Sequence, residues 1–83
     1  MGTLYVNYYF NHLTYDDNYF SGSFSAPDSD ISCEFRYNRK TEQTEIWNNN
    51  KPEEMILPLP VWWLEKKLRD HGKLNKHEHK ISY

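Results

Sequence analysis

The sequence is poor in the residues that staple, hinge or anchor a small protein. It has one cysteine, three glycines and two methionines in 83 residues. A lone Cys33 excludes an intramolecular disulfide, on which secreted domains of this size usually depend. A reduced, cytoplasmic setting is therefore expected. With glycine only at Gly2, Gly22 and Gly72, no phosphate-cradling glycine loop can be built. The longest apolar run, Met55 to Leu64, spans ten residues and contains Pro58 and Pro60. A membrane helix needs about 20, so none is expected. The start, Met1-Gly2-Thr3-Leu4-Tyr5-Val6, shows no basic region followed by an apolar stretch, and Val6 stands where a myristoylation signal wants Ser or Thr. No targeting signal is read there.

Basic residues are missing from the first third. Asp16, Asp17, Asp28 and Asp30 all precede Arg36, whereas Glu65 to Lys80 holds six Lys and Arg against three carboxylates. The chain is polarised from acidic to basic within a net charge of -2. Aromatic residues are plentiful, 17% of the chain within a hydrophobic total of 37%, so Tyr, Phe and Trp must supply burial that aliphatic residues usually provide.

Alternation dominates the first half. Leu4, Val6, Tyr8 and Phe10 alternate with Tyr5, Asn7 and Tyr9 in the period-two pattern of a strand with one apolar and one aromatic-polar face. His12 to Asn18 has turn chemistry. The next strand carries Phe20, Gly22 and Phe24 on one face, where a glycine marks a bulge or a close approach. Ile31, Cys33, Phe35 and Tyr37 form the clearest alternation, and Asn38-Arg39-Lys40-Thr41 turns into a strand from Gln43 to Trp47. Asn48-Asn49-Asn50 reads as a loop. A helix starting near Pro58 or Pro60 and ending near Gly72 follows from proline at a first turn and from glycine after a basic last turn.

The predicted fold is α+β: an antiparallel meander sheet of three to four strands packed by one C-terminal helix. Residues 1–74 are one domain, and 75–83 are a polar, flexible tail tied only by Ile81 and Tyr83.

On the helix, Leu57, Val61, Leu64 and Leu68 form the covering stripe at about 100° per residue. Trp62 and Trp63 project off it, on the side of Leu59, Lys66 and Asp70. Either loops fold over these tryptophans, or Trp62, Trp63, Lys66 and Leu59 make a partner-binding patch, since Trp dominates interface energies. The function expected is a non-catalytic protein-binding module, a small adaptor or inhibitor of the kind phages and mobile elements carry, acting on another protein or on itself. The alternative is nucleic-acid binding through Arg36, Arg39, Lys40, Lys66, Lys67 and Lys73, with Tyr5, Tyr9 or Tyr19 stacking on bases. A pI near 6.0 argues against it.

No enzyme is expected. His12, Asp16, Asp17, Ser21, Ser23 and Cys33 form no constellation with assigned roles, and Cys33 reads as a buried thiol. His77 and His79 flank Glu78, with His71 a short segment earlier, but zinc wants three or four ligands converging on a rigid scaffold and this tail is expected to be flexible, so no metal site is expected and no cofactor is implied.

Overall fold

The computed structural model describes residues 6–56 and 59–82. The expectations for Leu4, Tyr5, Leu57, Pro58 and Tyr83 lie outside them. Four strands follow the predicted order: β1 (Val6–Tyr15), β2 (Tyr19–Ala26), β3 (Ile31–Asn38) and β4 (Gln43–Trp47). A short helix α1 (Glu53–Ile56), the main helix α2 (Val61–His71) and a further strand β5 (Glu78–Ser82) complete the chain. The sheet has five strands in the order β4-β3-β2-β1-β5, with every pair antiparallel. The meander is thus in chain order, and α2 carries the chain back to the free side of β1.

The structure departs from the sequence reading at β1, which continues through Tyr15 instead of turning at His12. Asn11 pairs with Ser23 and Thr14 with Ser21, so His12 and Leu13 together oppose Gly22. His12 takes up the extra residue with a left-handed backbone, φ 55°. The bulge turns Leu13 into the core, where it is buried. Gly22 accommodates it by having no side chain: a Cβ there would lie 2.7 Å from the Asn11 carbonyl oxygen and 2.9 Å from Leu13 Cδ2. The glycine expected to mark a bulge or close approach does both.

The second departure is the tail. Residues expected to fray form β5, in register Tyr9 with His79 and Phe10 with Glu78. Two inward charges hold it. Glu78 is buried, accepting hydrogen bonds from Lys67 Nζ at 2.7 Å and from the Asn75 backbone N–H at 2.9 Å. The Lys80 ammonium lies 5.6 Å from the Trp62 ring centre.

The core lies between the sheet and the two helices. Phe10, Phe20, Phe35 and Leu64 are its fully buried large side chains, each stabilising by about 1.5–3 kcal/mol. Its rings interlock, Phe10 with Phe24 at 5.2 Å, Phe10 with Phe35 at 5.8 Å and Phe20 with Tyr37 at 4.8 Å. Leu64 and Leu68 of α2 press onto this layer as predicted, and Gly72 ends the helix in the left-handed conformation, its N–H donating to the Leu68 carbonyl.

Candidate functional site

The helix-start patch expected from sequence separates into unlike parts. Trp62 is 60% exposed and Lys66 is exposed, in an ion pair with Asp70 at 3.0 Å. Trp63 is half-buried, its ring 6.3 Å from Phe10 with the Lys67 ammonium 4.6 Å above it. It therefore belongs to the covering side of the helix. Leu59 is buried in the core and offers no surface. A wheel drawn for an isolated helix misses this, because a tryptophan reaches far enough sideways to join a layer centred on Leu64 and Leu68.

The basic set is similarly dispersed. Arg36 pairs with Glu45 at 2.8 Å, Arg39 with Glu65 at 2.9 Å, Lys66 with Asp70 and Lys67 with Glu78. Lys40 lies exposed in the β3–β4 turn and Lys73 exposed after α2. Among the described residues, no three His, Cys, Asp or Glu side chains are grouped to hold a metal ion. Asp16 caps its own turn, its Oδ1 accepting the N–H groups of Asn18 and Tyr19. The Tyr19 N–H first, then that of Asn18, holds its carboxyl below the usual range. Ser23 donates to the Asn11 carbonyl and Ser21 bonds Thr14. Cys33 is buried, and desolvation with help from Glu34 pushes its thiol up to about 11. His12 meets the ring of His77 at 6.0 Å, not an aspartate. The candidate catalytic residues are spread over both faces of the sheet.

What the strands do bring together is on the sheet face turned away from the helices. Because side chains alternate, the residues between the core positions all project there, and the register sets them in rows. One row reads His79, Tyr9, Ser25, Ser32; the next Asn11, Ser23, Glu34, Trp47; a third Thr14, Ser21, Arg36, Glu45; and a last Tyr19, Asn38, Gln43. Serines form a low floor along β2, flanked by aromatic residues on β1 and β4 and by Tyr19 at one end. A shallow polar hollow of about 310 Å³ opens beside Tyr19, Arg36 and Gln43.

Tyr9 and Tyr19 are held in place. Tyr9 stacks on His79 with centroids 4.4 Å apart and planes 3° from parallel. His79 Nε2 meets Asn7 Oδ1 at 3.0 Å, and Asn7 donates both its backbone N–H and its side-chain amide to Asp28 Oδ2. Those two donations, the side chain first, keep the Asp28 carboxyl below its usual range. Arg36 lies over the Tyr19 ring at 4.8 Å while pairing with Glu45. Glu34 is bonded by the side-chain amide of Asn48. No lysine stands on this face: Lys40, Lys51, Lys66, Lys67, Lys73 and Lys76 lie in turns, loops and α2, and Lys80 points to the helix side.

From sequence, Tyr9 and Tyr19 read only as stacking residues for bases and His79 only as a rejected metal ligand, while Trp47 is missed as a site residue. His79 was legible in principle, since His77, His79 and Ile81 alternate with Glu78 and Lys80, but charged inward positions conceal a strand. Comparison with family models, with curated proteins and with solved structures finds no match.

Proposed function

We propose that this chain is a non-catalytic protein-recognition domain whose main contact surface is the outer face of the sheet. One observation carries the reading: Tyr9, Tyr19 and Arg36 stand pre-oriented around a serine floor, with Trp47 exposed on the β4 edge, on a face without lysine. Ordinary solvent faces carry lysine, whereas protein interfaces are depleted in it and enriched in Tyr, Trp and Arg. A Tyr, Ser and Asn surface with Trp and Arg anchors is also the composition of antibody contact surfaces. Rings already fixed by stacking and hydrogen bonds lose little rotamer freedom on binding.

The experiment is capture from the native host with wild type and with Tyr9→Ala/Trp47→Ala, read by quantitative mass spectrometry. Both side chains are partly exposed, 36% and 41%, so the double variant should keep its far-UV spectrum and fold. A partner held by the wild type should be lost at least tenfold, as two anchors each worth more than about 1 kcal/mol require. Undiminished capture by the double variant rejects the face. Nucleic-acid binding is the weaker reading, because Arg36, Arg39, Lys66 and Lys67 already neutralise carboxylates. It would require low-salt binding that falls when Lys66, Lys67 and Lys73 are neutralised together.

A further inference from the structure

A second site lies where β5 ends the sheet. Strand order leaves one side of β5 without a neighbour among the described residues, so alternate backbone N–H and C=O groups point outward there. Trp63 lies over Phe10 of β1, and Trp62, the next residue outward, lies over Lys80 of β5. The exposed Trp62 indole is therefore at the margin of the sheet, where the inward side chains of an added strand would fall.

On α2 the exposed carboxylate on the side of Trp62, Asp70, is paired with Lys66, and along residues 73–82 the exposed charge has one sign. Lys73, Lys76 and Lys80 line residues 73–82, and the one carboxylate among them, Glu78, is buried against Lys67 and the Asn75 N–H. His77 and His79 are turned to the outer face by Asn11 and Asn7. The geometry points to strand addition: β5 accepts an extended acidic segment of a partner protein, with a carboxylate opposite Lys80 and an aliphatic side chain against Trp62. Its side-chain contacts, at Lys80 and Trp62, lie on the helix side of β5, opposite the outer face to which His79 belongs.

A second copy of the chain does not meet these requirements. Antiparallel pairing of two β5 strands about their central residue sets Lys80 against Lys80. Pairing with the other edge, β4, brings Glu45 to the outer face, already held by Arg36, while Lys80 stands on the inner face. Inward lysine on an edge strand discourages indiscriminate pairing; a carboxylate opposite it selects the partner.

The test uses the full chain and two blocked peptides, Thr-Val-Thr-Glu-Thr-Val-Thr and its Lys-for-Glu counterpart, followed by amide exchange and by the Trp62 indole N–H resonance. The Glu peptide should slow exchange of alternate β5 amides, shift the Trp62 resonance and bind about fivefold more tightly than the Lys peptide, as replacing one attractive cross-strand pair by a repulsive one implies. Lys80→Glu should reverse that order. Trp62→Ala, an exposed substitution, should weaken both peptides alike, and Trp47→Ala, at the opposite edge of the sheet, should leave both unchanged. Equal affinity for the two peptides, protection at β4 or on the outer face instead of β5, or no protection would overturn the site. Protection of β5 that rises with protein concentration without peptide would make a second copy the occupant and overturn the proposal as stated.

Discussion

Gly22→Ala inserts one methyl group where the bulge leaves no room. The new Cβ meets the Asn11 carbonyl oxygen at 2.7 Å, Leu13 Cδ2 at 2.9 Å and Leu13 Cα at 3.3 Å. Two of these three are backbone atoms. They cannot retreat freely, because Asn11 pairs with Ser23 and the Leu13 N–H donates to the Lys76 carbonyl at 3.0 Å. Overpacking of this kind costs about 1–3 kcal/mol, offset by about 0.5 kcal/mol from the lower chain entropy of alanine in a strand. A net loss of about 1.5 kcal/mol is expected, which lowers Tm by about 6–12 °C in a domain of this size. Total stability should be about 4–12 kcal/mol, so the variant still folds at 25 °C. Urea titration followed by tryptophan fluorescence should show a lower midpoint with an unchanged slope. Gly72 supplies the contrast, since nothing lies within 4 Å of its would-be Cβ and its φ is 75°. Gly72→Ala should cost about 1 kcal/mol of backbone strain, most of it recovered by Gly72→Asn, which tolerates that conformation. At Gly22, asparagine should be worse than alanine. A Gly22→Ala protein within 0.5 kcal/mol of wild type would refute the packing argument.

The Cys33 thiol, buried and raised from 9.0 to about 11, should react with a disulfide reagent at pH 8 at least ~100-fold more slowly than in urea, because attack requires opening; comparable rates would place it at the surface. As its folded value lies above the open-chain value, its contribution to stability is intact below pH 9.0 and drains as pH rises through about 11, and Cys33→Ala should remove that alkaline component. Arg39→Ala removes bonds to Glu65 Oε2 and the Asp16 carbonyl, both at 2.9 Å, and should cost about 1–2 kcal/mol by thermal unfolding. Arg39→Lys should recover less than half, since an ammonium cannot span both acceptors with the fixed fork of a guanidinium. Asp16, Asp28 and Asp70 titrate lower in the fold than in the open chain, chiefly through Tyr19 N–H, Asn7 and Lys66 respectively. Their stabilisation is therefore full above the ordinary value of 3.8 and is lost as pH falls through their folded values, which NMR titration of the three carboxyls would locate.

The sheet was legible wherever apolar and polar residues alternate without interruption. Ile31 to Tyr37 is the clearest instance, and the predicted and observed strands coincide there. The helix was legible from its terminal residues, Pro60 and Gly72, and from Leu64 and Leu68. β5 was not, because its inward residues are Glu78 and Lys80, and a charge reads as solvent-facing until its partner on another element is known. Lys67 and Trp62 are those partners, one turn and more away on α2. The outer face was half legible: β1 showed an aromatic-polar side, but the rows joining Tyr9 to His79 and Glu34 to Trp47 exist only once register is set.

On β1 the register beyond Asn11 is set by the bulge, which makes His12 the hinge of that strand. Without the extra residue, Leu13 would fall on the outer face and every later position of β1 would change sides. The left-handed backbone at His12 costs about 1–2 kcal/mol, and burial of Leu13 returns about 1.5–3 kcal/mol. The balance is favourable only because Gly22 opens the space. Once Leu13 is inward, its N–H reaches the Lys76 carbonyl and draws the segment after α2 alongside β1. That alignment brings His79 onto Tyr9 and Lys80 beneath Trp62. The β5 margin and the His79–Tyr9 end of the outer face thus descend from one local choice of backbone conformation, made where the sequence places a glycine across from a leucine.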